Sequence, residues 1–169
     1  MKTWPEILLV ELMNSNIPVK VTSKNPNEFV TEFIVETPDE NFLYSFVGVK
    51  TRGVMPEWEL SFARIRSASG IELAVHALLS DMDMKASLKV FSGVKKSMEM
   101  WLKHADETNP LGKKEGWGFL KFYFTGKKEE DSRSKLYDKF AKVISKKLKF
   151  KFRKGTAFGE FRWDFWRED

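Results

Sequence analysis

The feature that most constrains this chain is the run Trp117–Phe124 (Trp-Gly-Phe-Leu-Lys-Phe-Tyr-Phe), which is apolar on both faces of a pleat except at Lys121. Strands that alternate apolar and polar residues lie on a half-solvated sheet. One without that alternation belongs inside a sheet, beside a parallel neighbour reached by a helical crossover. The flanking sequence supplies such a crossover. Leu88, Phe91, Val94, Met98, Trp101 and Leu102 recur at three- and four-residue spacings within 86–104, which predicts an amphipathic helix feeding the central strand.

Upstream, three β-rich runs follow one another at hairpin spacing: Phe29–Glu36, Phe42–Thr51 and Trp58–Arg66. Pro38 to Asn41 and then Arg52, Gly53 and Pro56 punctuate them, so an antiparallel meander is expected. In the third run Trp58, Leu60, Phe62 and Arg64 alternate with Glu59, Ser61, Ala63 and Ile65. Pro18–Thr22 reads as a short edge strand, and 71–79 as either a strand or a short helix. Before these, Thr3, Pro5 and Glu6 form a capping signal for an N-terminal helix striped by Ile7, Leu8, Leu12 and Met13.

After the central strand, Glu129, Glu130 and Asp131 place acids at the start of a second long helix. Its buried stripe is Leu136, Tyr137, Phe140, Val143 and Ile144, with lysines gathering toward its end. Leu148–Arg153 alternates next, with Lys149, Lys151 and Arg153 opposite Leu148, Phe150 and Phe152. A turn at Lys154-Gly155 then leads into a last strand, Phe158–Trp166. On that strand Phe161, Trp163 and Phe165 face one way, leaving Trp166 on the polar side, where it suits either a contact surface such as a homodimer or packing against the first helix. The expectation is one α+β (α/β) domain over 1–169: a mixed, mostly antiparallel central sheet with an N-terminal helix and two long helices.

Composition removes several chemistries. With no cysteine there is no disulfide, thiolate zinc site or cysteine nucleophile. His76 and His104 have no ligand spacing around them, so no metal is expected. No apolar run reaches the ~20 residues of a membrane span, and the first thirteen residues do not read as a signal peptide. A cytoplasmic protein is expected. The net charge of +5 conceals an asymmetry: residues 113–155 carry fifteen Lys/Arg against five Asp/Glu, and the rest fourteen against nineteen. Such a basic half suits an acidic protein or a nucleic acid. Lys135, Lys139, Lys142 and Lys146 fall on one helical face; with Lys149, Lys151 and Arg153 they are the candidate partner-binding residues.

The order of these elements resembles the GCN5-related N-acetyltransferase (GNAT) superfamily over roughly 18–166. The local signal is Lys121–Tyr137, a strand, loop and helix containing Ser134-Lys135-Leu136-Tyr137. The resemblance implies acetyl-coenzyme A as cofactor, Tyr137 as the proton donor to the departing thiolate, and Glu59 as the general base. It also implies diphosphate binding around Lys85, Ala86 and Ser87. Lys89-Val90-Phe91-Ser92 and the segment Ser132–Asp138 resemble small uncharacterised bacteriophage proteins, which would put the chain in the cytoplasm of a bacterial host or in a virion.

The chain also departs from the GNAT pattern. Those enzymes cradle the diphosphate with a glycine-rich loop at a helix N-terminus. Here Ser80–Ser87 has no glycine and places Asp81 and Asp83 at that position. Glu130 stands where the family has an asparagine. The expected function is therefore a phage-type accessory protein on a GNAT-like scaffold that binds an acidic partner through its basic half, without catalysis. Two alternatives stand beside it: an N-acyltransferase using acetyl-coenzyme A, and a virion or assembly component.

Overall fold

The computed structural model describes residues 16–36, 41–52, 57–66, 70–73, 84–108, 120–128 and 131–167. The expected N-terminal helix lies outside them, as do Asp81 and Asp83. In chain order the elements are β1 (Val19–Asn25), β2 (Glu28–Glu36), β3 (Asn41–Lys50), β4 (Glu57–Arg66), β5 (Gly70–Leu73), α1 (Met84–Thr108), β6 (Leu120–Lys127), α2 (Asp131–Leu148), β7 (Lys151–Ala157) and β8 (Glu160–Arg167). They form a mixed α+β fold with a mostly antiparallel sheet ordered β1-β2-β3-β4-β6-β8-β7, and β5 added to β4. The meander of β1 to β4 follows the alternation of the sequence, and the 71–79 region contributes β5 at its start.

β6 sits where its apolar run predicts, between β4 and β8, and its parallel partner β4 is reached through α1. Coverage on both faces is not what the structure gives. Leu120 and Phe122 are buried, whereas Lys121 and Tyr123 are half-buried and Thr125 is exposed. Both α1 and α2 pack on the same face, and the cover over Tyr123 is a guanidinium, with Arg162 Cζ 3.6 Å from its ring centroid. An aromatic strand can thus read as doubly buried when a cation covers one of its rings.

The buried face is built largely from rings. Phe122 stacks on Phe165 at 4.5 Å and meets Trp101 edge-on at 5.1 Å, while Phe124 stacks on Trp163 at 5.2 Å. Such pairs add roughly 0.5–1.5 kcal/mol each beyond the area they bury. Polar stitches fix the helices in register. Thr31 Oγ1 donates to Ser97 Oγ at 2.7 Å. His104 Nε2 lies 2.7 Å from the Asn25 carbonyl, so it carries the proton and donates, and the imidazole stacks on Phe29. Trp163 Nε1 donates to Asp138 at 2.9 Å, tying β8 to α2.

The C-terminal segment differs from the sequence reading in two places. Leu148 and Lys149 are not strand residues: α2 runs through Leu148, Lys149 turns left-handed at φ 59°, and Phe150 N donates to the Ser145 carbonyl at 3.0 Å. That is a Schellman closure with lysine in the position glycine usually takes. The hairpin turn lies at Phe158-Gly159, both at positive φ, and not at Lys154-Gly155, which pair within β7 with Trp163 and Arg162. A two-residue turn with both φ positive matches the twist of the flanking strands. Phe158 is fully exposed there.

Gly93 marks the closest approach of α1 to the sheet. A Cβ built on it would lie 2.3 Å from the ring of Phe33, itself buried and stacked on Tyr44. Helix propensity alone would have Gly93→Ala stabilise the chain by about 1 kcal/mol. The clash is expected to reverse the sign, giving a net loss of about 1–3 kcal/mol in denaturant unfolding. A stabilised variant would show that α1 does not sit this close.

Candidate functional site

β4 and β6 are joined by only three rungs: Glu57 with Lys121, Trp58 with Phe122 and Glu59 with Tyr123. Continued in register, the next rungs would pair Leu60 with Phe124, Ser61 with Thr125 and Phe62 with Gly126. They do not form, because β5 takes the same edge of β4 at Ala63–Arg66 and β6 has to diverge. The six residues of those unformed rungs line a cleft of about 260 Å³, floored by Val94 and Met98 of α1 and by Tyr137 and Phe140 of α2. Backbone groups on both strand edges therefore point into a gap with no strand between them among the described residues, and such groups need a hydrogen-bond partner.

The two candidate catalytic residues both line this cleft. Tyr137 comes from α2 on the helical face and is buried, its ring within 6.0 Å of Phe91 and Phe124 and 5.6 Å of Trp163. Its packing role on the apolar stripe and its place in the cleft coexist. Glu59 comes from the opposite face of β4 and is exposed, accepting the Tyr123 hydroxyl at 3.1 Å. The gap passes through the sheet, so a group lodged in it has a phenol on one side and a carboxylate on the other. Gly126 keeps the far wall open, since a Cβ there would lie 3.1 Å from Trp163 and 3.5 Å from Tyr137.

Tyr123 and Arg162 were not foreseen in the sequence. Arg162 lies over the Tyr123 ring while its guanidinium donates to Asp164 at 2.8 Å and Glu57 at 3.0 Å. Burial works against the charged guanidinium, but Asp164 and Glu57 outweigh it and raise its pKa. This fixed cation orients Tyr123 toward Glu59. No motif in the sequence marks them: strand pairing places Glu59, Tyr123 and Asp164 in one cross-strand row and Arg162 in the row of Thr125 and Gly155.

The remaining sequence candidates are dispersed. Lys85, Ala86 and Ser87 fall in the first turn of α1. Lys135, Lys142 and Lys146 are exposed and Lys139 half-buried on α2, over the helical face of the sheet. Lys151 and Arg153 project from the opposite face, and Lys149 sits at the helix end. The single basic surface expected from the sequence is therefore divided by the sheet, because alternation turns the β7 cations away from the side on which α2 packs. Among the described residues no group of three or more His, Asp or Glu could hold a metal ion, and no helix is long and apolar enough to cross a membrane.

Comparison with known proteins found no matching family model, no matching curated protein and no matching solved structure.

Burial, and then the charge and hydrogen bond of Glu59, push the Tyr123 phenol above the ordinary tyrosine value of 10.0, with Arg162 pulling partly the other way. A raised folded value favours the protonated phenol in the folded chain. Its contribution to stability is complete below about pH 10 and is lost as pH rises through the folded midpoint. Glu59→Gln is expected to lower that midpoint, read by NMR of the Tyr123 ring carbon or by ultraviolet titration against Tyr123→Phe. A midpoint unchanged by Glu59→Gln would contradict the pairing.

Proposed function

We propose that the chain is an N-acyltransferase-type protein on a GNAT-like scaffold, with the cleft between β4 and β6 taking the acyl thioester. The observation that carries this is convergence: Tyr137 and Glu59, the two residues the family resemblance pairs as acid and base, line one cleft from opposite sides of the sheet. The strand order, with β4 and β6 parallel and diverging, supports the same scaffold.

The cleft fits the pantetheine arm of an acyl thioester. That arm is extended and carries amides, and the unpaired edges at Leu60–Phe62 and Phe124–Gly126 offer backbone donors and acceptors along its length. When bound, the thioester supplies an activated acyl carbon. On this reading Glu59 takes a proton from an incoming amine as the C–N bond forms, and Tyr137 gives a proton to the sulfur as the C–S bond breaks. The apolar floor of Val94, Met98 and Phe140 keeps water from competing.

The diphosphate end is different. In the sequence Asp81 and Asp83 stand where the resemblance calls for a glycine-rich loop, so on this reading the arm and not the nucleotide carries the affinity. The partner-binding reading, a basic surface spanning α2 and β7, draws less support because the sheet divides those residues.

Isothermal titration with acetyl-pantetheine and acetyl-coenzyme A tests this. The two are expected to bind within about tenfold of each other, a difference of about 1.4 kcal/mol. Tyr137→Phe is expected to lower acyl transfer to a primary amine by about 10²–10⁴ while leaving thioester binding nearly unchanged. Absence of binding by either thioester at millimolar concentration would overturn the reading.

A further inference from the structure

We propose that the face of the sheet opposite α1 and α2, at its β7 edge, binds single-stranded nucleic acid, with Trp166 as a base-stacking platform. Register sets the arrangement. Trp166 on β8 lies directly between Lys121 on β6 and Lys151 on β7, and Arg153 flanks them in the next row. Adjacent strands lie about 4.8 Å apart, so two ammonium-bearing chains stand on either side of an indole and about 10 Å from each other.

Three observations point to a ligand. Lys121, Lys151 and Arg153 make no ion pair with any described residue, although acids lie close by. Those acids are already committed, Glu57 and Asp164 to Arg162 and Glu59 to the Tyr123 hydroxyl. Trp166 is only half-buried and makes no ring or cation contact with a described neighbour, unlike Trp58, Trp101 and Trp163. Lys121, Arg153 and Trp166, with Glu57, Arg162 and Asp164, border a shallow recess of about 630 Å³, and Lys151 stands beside Trp166 on the neighbouring strand.

Charge complementarity selects the occupant. Three cations with no acidic partner among the described residues, set around a flat ring, match a strand that offers phosphates and a base face together. An acidic peptide would use the cations and leave the indole idle. Stacking tolerates any base, so little sequence preference is expected. The face is separate from the cleft of the preceding proposal and stands or falls without it.

Fluorescence anisotropy with labelled oligo-dT and oligo-rU of about 15 nucleotides tests the proposal. Binding should weaken as salt rises, with a log–log slope of about −0.7 per phosphate contact. Trp166→Ala is expected to weaken it about 5- to 150-fold and Trp166→Phe far less. Lys151→Ala with Arg153→Ala should reduce the slope magnitude by about 1.4, while Lys142→Ala with Lys146→Ala leaves affinity within about twofold. Should Trp166→Ala fail to fold by circular dichroism, the exposed Lys151/Arg153 pair decides the matter. No binding at low salt, an unchanged slope for that pair, or equal loss from the α2 pair would each overturn the proposal. So would displacement of the oligonucleotide by polyglutamate at equal charge concentration.

Discussion

The limited parallel pairing of β4 with β6 governs the rest of the structure. Three rungs are enough to join the meander of β1 to β4 to the β6-β8-β7 unit in one sheet, and α1 supplies the crossover that parallel strands need. Beyond Glu59 and Tyr123 the strands part because β5 holds the remaining edge of β4. A sheet that closed would have no interior opening. One that parted earlier would leave two units hinged on a helix. The length of the pairing therefore sets both the continuity of the fold and the existence of a cleft through it.

Helices on one face make the two sides of the sheet chemically different. On the covered side the aromatic residues of β6, β8 and both helices form one packed cluster in which Tyr137 belongs to the core and to the cleft wall together. On the other side there is no helix among the described residues, and the surface is organised by charge. Arg162 binds Glu57 and Asp164, roofs Tyr123, and so holds that phenol against Glu59. The same commitments leave Lys121, Lys151 and Arg153 without an acidic partner among the described residues beside Trp166. One arginine thus both orders the rim of the cleft and defines the neighbouring basic face.

Much of the fold was legible because local patterns and tertiary outcome agree. The meander, α1, α2 and the central position of β6 all follow from period-2 and helical spacings in the residues themselves. Other features were not legible, and three of them have a clear physical reason. Tyr123 read as core because alternation cannot show that a cation will cover a ring. The end of α2 read as strand because Leu148-Lys149-Phe150 keeps an apolar–polar alternation, while Lys149 in fact takes the left-handed position that closes the helix. The basic residues read as one surface because linear charge density carries no information about which side of a sheet a strand residue faces. For the site, Tyr137 and Glu59 were found through a resemblance, whereas Arg162 and Tyr123 emerge only from register.

The most direct test is an NMR map of cross-strand contacts between β4 and β6. Backbone NOEs are expected between Glu57–Glu59 and Lys121–Tyr123, with none between Leu60–Phe62 and Phe124–Gly126. NOEs running on through those last three rungs would mean a closed sheet, no cleft, and no shared site for Glu59 and Tyr137.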